Sequence, residues 1–99
     1  MFIIRDIMYC RPGKVRPMVE KLTALSKLSD KMGLGAFKVM TDVCAERYWT
    51  VVSEMEVPNL GEFMANQQKT MQMPEFQEAM KGYHDLVEQG RREIYTLEK

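Results

Sequence analysis

The chain predicts an α+β domain, a four-stranded antiparallel sheet carrying helices, and three observations predict it. β-Branched and aromatic residues crowd Ala36 to Glu56 (AFKVMTDVCAERYWTVVSEME), as two strands of a half-buried hairpin would require. Apolar residues recur every three or four positions from Lys14 to Met32, which is the spacing of one buried helical stripe. A strand and a helix precede the hairpin, and a helical region and a strand follow it. The order is strand, helix, strand, strand, helix, strand, in one domain spanning residues 1–99.

The first strand, Phe2 to Cys10, sends Phe2, Ile4, Asp6, Met8 and Cys10 to one face and Ile3, Arg5, Ile7 and Tyr9 to the other. Both faces are apolar with one charge in the middle. Arg11–Pro12–Gly13–Lys14 supplies turn chemistry. The first helix then runs to Met32 with Val15, Met18, Val19, Leu22, Leu25 and Leu28 on its stripe. Pro17 is tolerated near its first turn, and Gly33 and Gly35 stop it.

The hairpin is expected to turn through two or four residues around Ala45–Glu46. Either loop pairs Asp42 with Trp49, Met40 with Val51 and Val39 with Val52. One face then carries Val39, Thr41, Val43, Tyr48, Thr50 and Val52; the other carries Met40, Trp49, Val51 and Met55. Neither is simply polar, unlike a sheet with one face in water.

Asn59, with Glu62 three residues later, reads as the cap of a second helix that buries Leu60, Phe63, Met64 and Met71. Met73–Pro74 splits this helical region. A third helix is predicted from Glu75 to Glu88, ended by Gly90, and RREIYTL (Arg91 to Leu97) forms the last strand. The whole suits a ferredoxin-like plait, βαββαβ with the second helical region split and its helices on one sheet face. The first and third strands are expected to be central and parallel, placing Cys10 and Cys44 at opposite ends of the sheet, as two buried, reduced thiols.

Fourteen basic and fourteen acidic residues cancel, so no electrostatic feature points to nucleic acid or an acidic membrane. No apolar run is long enough to span a bilayer, and MFIIRDIMYC lacks the pattern of a signal peptide. A cytoplasmic protein is expected. Two cysteines and one histidine give no metal-ligand spacing. Ten methionines suggest a yielding core or an adaptable apolar pocket.

The first strand running into Arg11–Pro12–Gly13–Lys14, the long helix, the hairpin MTDVCAERYWTVV and the closing GRREIYTLE resemble the dimeric α+β-barrel superfamily. Within it the chain is similar to NIPSNAP-like proteins and, more distantly, to antibiotic-biosynthesis and haem-degrading monooxygenases. The resemblance implies a homodimer joined through the open sheet face, with a small-molecule cavity between sheet and helices in the family's enzymes. Haem-degrading relatives carry an aromatic residue at the end of the third strand and a ligating histidine on the next helix. Here those places hold Glu56–Val57–Pro58 and Asn66, Gln67 and Gln68, so no haem or other cofactor is expected.

His84 is the candidate proton-transfer group, because an imidazole titrates near neutrality; the alternative is a half-exposed helix-end residue. Asp85 is adjacent and does not face it on a helix. Arg5 either holds an anionic or carbonyl group of a ligand or pairs with Glu54, Glu56 or Glu93. Tyr9, Trp49, Tyr83 and Tyr95 either line a cavity or pack the core and dimer seam. Three functions fit: a dimeric barrel that binds a small apolar or aromatic metabolite, a cofactor-free monooxygenase-like enzyme on a small aromatic substrate, or a structural, partner-binding dimer.

Overall fold

The strand-forming segments pair into one sheet, and the helical segments all cover the same face of it. The computed structural model describes residues 1–98. Its elements are β1 (Phe2–Cys10), α1 (Val15–Lys31), β2 (Lys38–Thr41), β3 (Thr50–Val57), α2 (Leu60–Met71), α3 (Pro74–Met80), α4 (Tyr83–Leu86) and β4 (Val87–Thr96). The sheet order is β2-β3-β1-β4, with every neighbouring pair antiparallel. This is the ferredoxin-like plait that the element order predicts.

One expectation about its strands fails. β1 and β3 are central but antiparallel. Crossing through α1 returns the chain so that β2 runs parallel to β1 one strand away, and the hairpin then reverses it into β3. Cys10 and Cys44 consequently share one end of the sheet: the Cys10 amide donates to the Trp49 carbonyl at 2.9 Å, and Cys44 lies in the loop just before it. Both thiols are free, but only Cys10 is buried; Cys44 is exposed.

The hairpin register is also displaced by one residue from the predicted pairing. Met40 faces Val52 and Thr41 faces Val51, and residues 42–49 form a long loop. Two local features set this. The Asp42 carboxylate accepts from the Thr50 amide at 2.9 Å, and Trp49 takes a left-handed φ of 57°. Both end β2 and restart β3 outside any two-residue turn. A one-residue slip exchanges the faces of a strand, so Val51 points at the helices and Val52 away.

The core sits between α1 and the sheet. Met8, Cys10, Val51 and Val87 from the strands pack against Met18, Leu22 and Leu25 of α1. The buried side of α1 extends past the apolar stripe to Ser26 and Ser29. Ser26 Oγ donates to the Phe37 carbonyl and accepts from the Phe37 amide, each at 2.8 Å, while Ser29 Oγ donates to Gly35 O at 2.8 Å. These two hydroxyls tie α1 to the chain entering β2. Gly33, at φ 80°, ends α1: its amide donates to Asp30 O and that of Leu34 to Ser29 O, satisfying carbonyls left open at the helix end.

Asn59 caps α2 as predicted, its side-chain oxygen accepting from the Glu62 amide at 2.8 Å. The predicted buried side of α2 is corrected: Met64 and Met71 are exposed, and only Thr70 is buried. The helix leans on α3 and stands off the sheet. The predicted helix from Glu75 to Glu88 is broken, because Lys81 takes an extended ψ and Gly82 a φ of 86°. Gly90 ends no helix; it lies inside β4 opposite Met8. Among the described residues no helix is long and apolar enough to cross a membrane.

Candidate functional site

Because α1 packs closely and α2 does not, a cavity of about 920 Å³ remains between the sheet and the helices. Its walls come from Ile4 and Met8 of β1, Leu22 and Leu25 of α1, Phe63 of α2 and Phe76 and Met80 around α3. Mixed aliphatic, aromatic and methionine side chains make a half-open, largely apolar recess large enough for a drug-sized molecule. Thr70 and Ser29 also line it, but their hydroxyl hydrogens are committed to the Asn66 and Gly35 carbonyls.

One end of the cavity is polar. Asp6 and Arg92 are paired across β1 and β4 on the helix-bearing face. Arg92 Nε donates to Asp6 Oδ1 at 2.7 Å and Nη2 to Oδ2 at 3.0 Å, a two-point fork. Nη1 donates to Gln67 Oε1 of α2 at 2.8 Å, and the guanidinium lies 5.6 Å from the Phe63 ring centre. Both partners remain about a third exposed, so the pair stabilises the fold by about 1 kcal/mol or less. Its larger effect is to fasten α2 to β4 across the cavity mouth.

Tyr83 and His84, from the short α4, complete that end. Their rings meet edge to face with centres 5.3 Å apart, and both residues line the cavity. Burial pushes the Tyr83 phenol up, and the charges of Asp6 and Cys10 push it further the same way. Tyr83 therefore stays protonated and offers a hydrogen. The Tyr83 hydroxyl reaches over Gly90 of β4, where a β-carbon would lie 3.7 Å from it, an ordinary contact.

The other sequence candidates lie elsewhere. Arg5 projects from the opposite sheet face, where its Nε donates to Glu54 Oε1 at 2.9 Å and its guanidinium lies 5.5 Å from the Tyr95 ring centre. The hydrogen bond to Glu54 raises the Arg5 pKa. Tyr9 shares that face. It is buried under Arg47, 4.3 Å from its ring centre, and its hydroxyl accepts from Arg91. Trp49 ends the exposed 42–49 loop beside Tyr48, their ring centres 6.2 Å apart. Of the predicted set, Tyr83 and His84 line this cavity, while Arg5 and Tyr95 meet on the opposite sheet face.

Arg92, Gln67 and Phe63 escape a reading of the sequence, since eighty-six positions separate Arg92 from Asp6. One signal was present. A carboxylate on the helix-bearing side of an apolar central strand requires a partner, and Arg92 is the strand residue directly opposite it. Among the described residues no group of three or more His, Cys, Asp or Glu is placed to hold a metal ion.

No protein-family model matches the sequence. No curated protein matches it either. Solved structures do match. A NIPSNAP-like domain protein from Burkholderia xenovorans superposes with a TM-score of 0.82 at 17% identity, over 98% of this chain and 84% of that one. A NIPSNAP family protein from Agrobacterium tumefaciens gives 0.78 at 15% identity, over 96% and 90%. An antibiotic biosynthesis monooxygenase gives 0.72 at 12% identity over the full length of both chains. The fold is thus that of NIPSNAP-like and monooxygenase-like proteins, as the resemblance implied. At these identities the likeness concerns fold alone.

Proposed function

We propose that this protein binds a small apolar or aromatic metabolite in the cavity between its sheet and helices, as a homodimer joined through the open sheet face. One observation carries the reading: a space of about 920 Å³ with largely apolar walls and polar groups gathered at one end. A filled core, as a purely structural dimer would have, leaves no such space, since protein interiors pack to the density of organic crystals. The exposed free thiol of Cys44 suits a reducing compartment such as the cytoplasm.

The test is mass spectrometry of small molecules released on denaturing protein purified under native conditions. A stoichiometric compound is expected from the native chain. It should be lost from Ser53→Trp, which fills the cavity from β3 beside Asp6. Release from neither, together with no saturable uptake of any apolar probe, would return the choice to the structural reading.

The Tyr83–His84 pair favours a second reading, cofactor-free oxygenation of a small aromatic substrate by dioxygen. His84 would take a phenolic proton while Tyr83 donates to an adjacent ring oxygen, leaving an electron-rich phenolate to react. Oxygen uptake with a naphthalene hydroquinone should then exceed autoxidation and fall about a hundredfold in His84→Ala, the usual scale for a lost acid–base group. Equal uptake by the two proteins would exclude it.

A further inference from the structure

The polar end of the cavity also restricts the charge of what can enter. Its lining residues include Asp6, Arg92 and His84; Glu88 and Arg91 border it too, but their side chains turn to the open sheet face, toward Arg47 and Tyr9. Each of these carboxylates and guanidinium groups is matched. Arg92 is forked onto Asp6, Glu88 pairs with Arg47 at 3.5 Å, and Arg91 donates to Glu93 at 2.9 Å. Arg92 is the cation nearest the apolar walls, and all three of its nitrogens are engaged, Nη1 by Gln67. An entering carboxylate meets a guanidinium whose charge Asp6 already balances, and taking over the two-point fork would leave Asp6 unpaired. What remains to offer is hydrogen: the second hydrogens of Arg92 Nη1 and Nη2, the Tyr83 hydroxyl, and the amide nitrogen of Gln67, whose oxygen Arg92 already uses.

We infer that the cavity selects an uncharged, ring-bearing molecule carrying a hydrogen-bond acceptor such as a ketone oxygen, and that Asp6 is the residue that excludes carboxylates by occupying Arg92. This rests on the proposed binding function and adds the chemical class of ligand. Asp6 acts here as a specificity residue. The ligand's oxygen meets Tyr83 and Gln67 while its rings lie among Leu22, Leu25, Phe63 and Phe76.

The experiment is equilibrium dialysis of the native chain against two neutral-pH probes of equal size, a naphthyl methyl ketone and the naphthoate ion of the same ring substitution. The ketone is expected to bind at least about tenfold tighter, a difference of about 1.4 kcal/mol. Asp6→Asn frees Arg92 without removing it, so the preference should shift toward naphthoate by about tenfold or more relative to the ketone. Circular dichroism establishes that the variant is folded, and the native ratio stands by itself if it is not. Native protein that binds naphthoate as well as the ketone overturns the inference, as does a folded Asp6→Asn with unaltered preference. Binding of neither probe to either protein overturns the binding function itself, a separate and recognisable result.

Discussion

The two cysteines show how one residue type takes two chemistries from two environments. Cys10 is 2% exposed in the core, and burial pushes its thiol up; Cys44 is exposed in the 42–49 loop. A thiol reagent should therefore modify Cys44 in the native protein and reach Cys10 only in urea, as counted by intact-mass spectrometry. Modification of both thiols at equal rates in the native state would contradict the packing of Met8, Met18 and Val51 around Cys10. The same burial sets a pH dependence. Cys10 and Tyr83 are both held above their ordinary values of 9.0 and 10.0. The unfolded chain thus loses these protons first as pH rises. Stability is complete below pH 9 and declines through the alkaline range, since the folded state then binds more protons than the unfolded one. Thermal melts between about pH 8 and pH 10.5 should show Tm falling, and the fall should be smaller in Cys10→Ala.

At the scale of elements, Gly82 separates two accounts of the same segment. Read as sequence, Glu75 to Glu88 is one helix weakened by a glycine, and alanine at 82 would stabilise it by about 1 kcal/mol. In the structure Gly82 sits at φ 86° with nothing within 4 Å of a β-carbon, so the cost of alanine is conformational alone. Gly82→Ala is expected to destabilise by about 1–2 kcal/mol in urea unfolding. The sign decides between the accounts. The break lets Tyr83 turn onto the cavity and lets β4 begin at Val87. It is held from outside as well: Lys21 of α1 donates to the Ala79 carbonyl at 3.1 Å and to the Lys81 carbonyl at 2.6 Å, satisfying groups that the interrupted helix leaves open. This kind of feature marks the boundary of what is legible in the chain. The α1 stripe, the Asn59 cap and the break at Met73–Pro74 are local and were readable. The hairpin register was not, because it depends on Asp42 reaching Thr50 and on a positive φ at Trp49, a conformation uncommon outside glycine. Candidate-site residues divide in the same way. Tyr83 and His84 stand out by chemistry, whereas Arg92 and Gln67 acquire their roles only when β4 and α2 are placed against Asp6.

At the scale of the whole molecule, the open sheet face asks for a cover. Met40, Val52 and Ile7 form an apolar row across β2, β3 and β1, on the side without helices. Charged side chains border the row: Arg5 with Glu54 on one flank, and Arg47 and Arg91 against Tyr9 on the other. An apolar centre with a polar rim is the anatomy of an interface. A chain of this size buries a limited share of its surface alone, so a second copy over this face would add stability. In the proposed dimer a two-fold axis would set each Arg5–Glu54 pair against its counterpart. Light scattering at micromolar concentration should therefore give twice the 11.6 kDa chain mass. Val52→Asp sets a carboxylate in the middle of the apolar row, where burial without a partner costs several kcal/mol. That variant is expected to scatter as single chains while keeping its circular dichroism, since Val52 points away from the core. Its cavity should remain, because Val52 does not line it. If ligand release persists in monomeric Val52→Asp, binding belongs to each subunit separately; if it disappears, the partner shapes the site. Native protein that already scatters as a single chain would leave the apolar row to some other cover and withdraw the dimer.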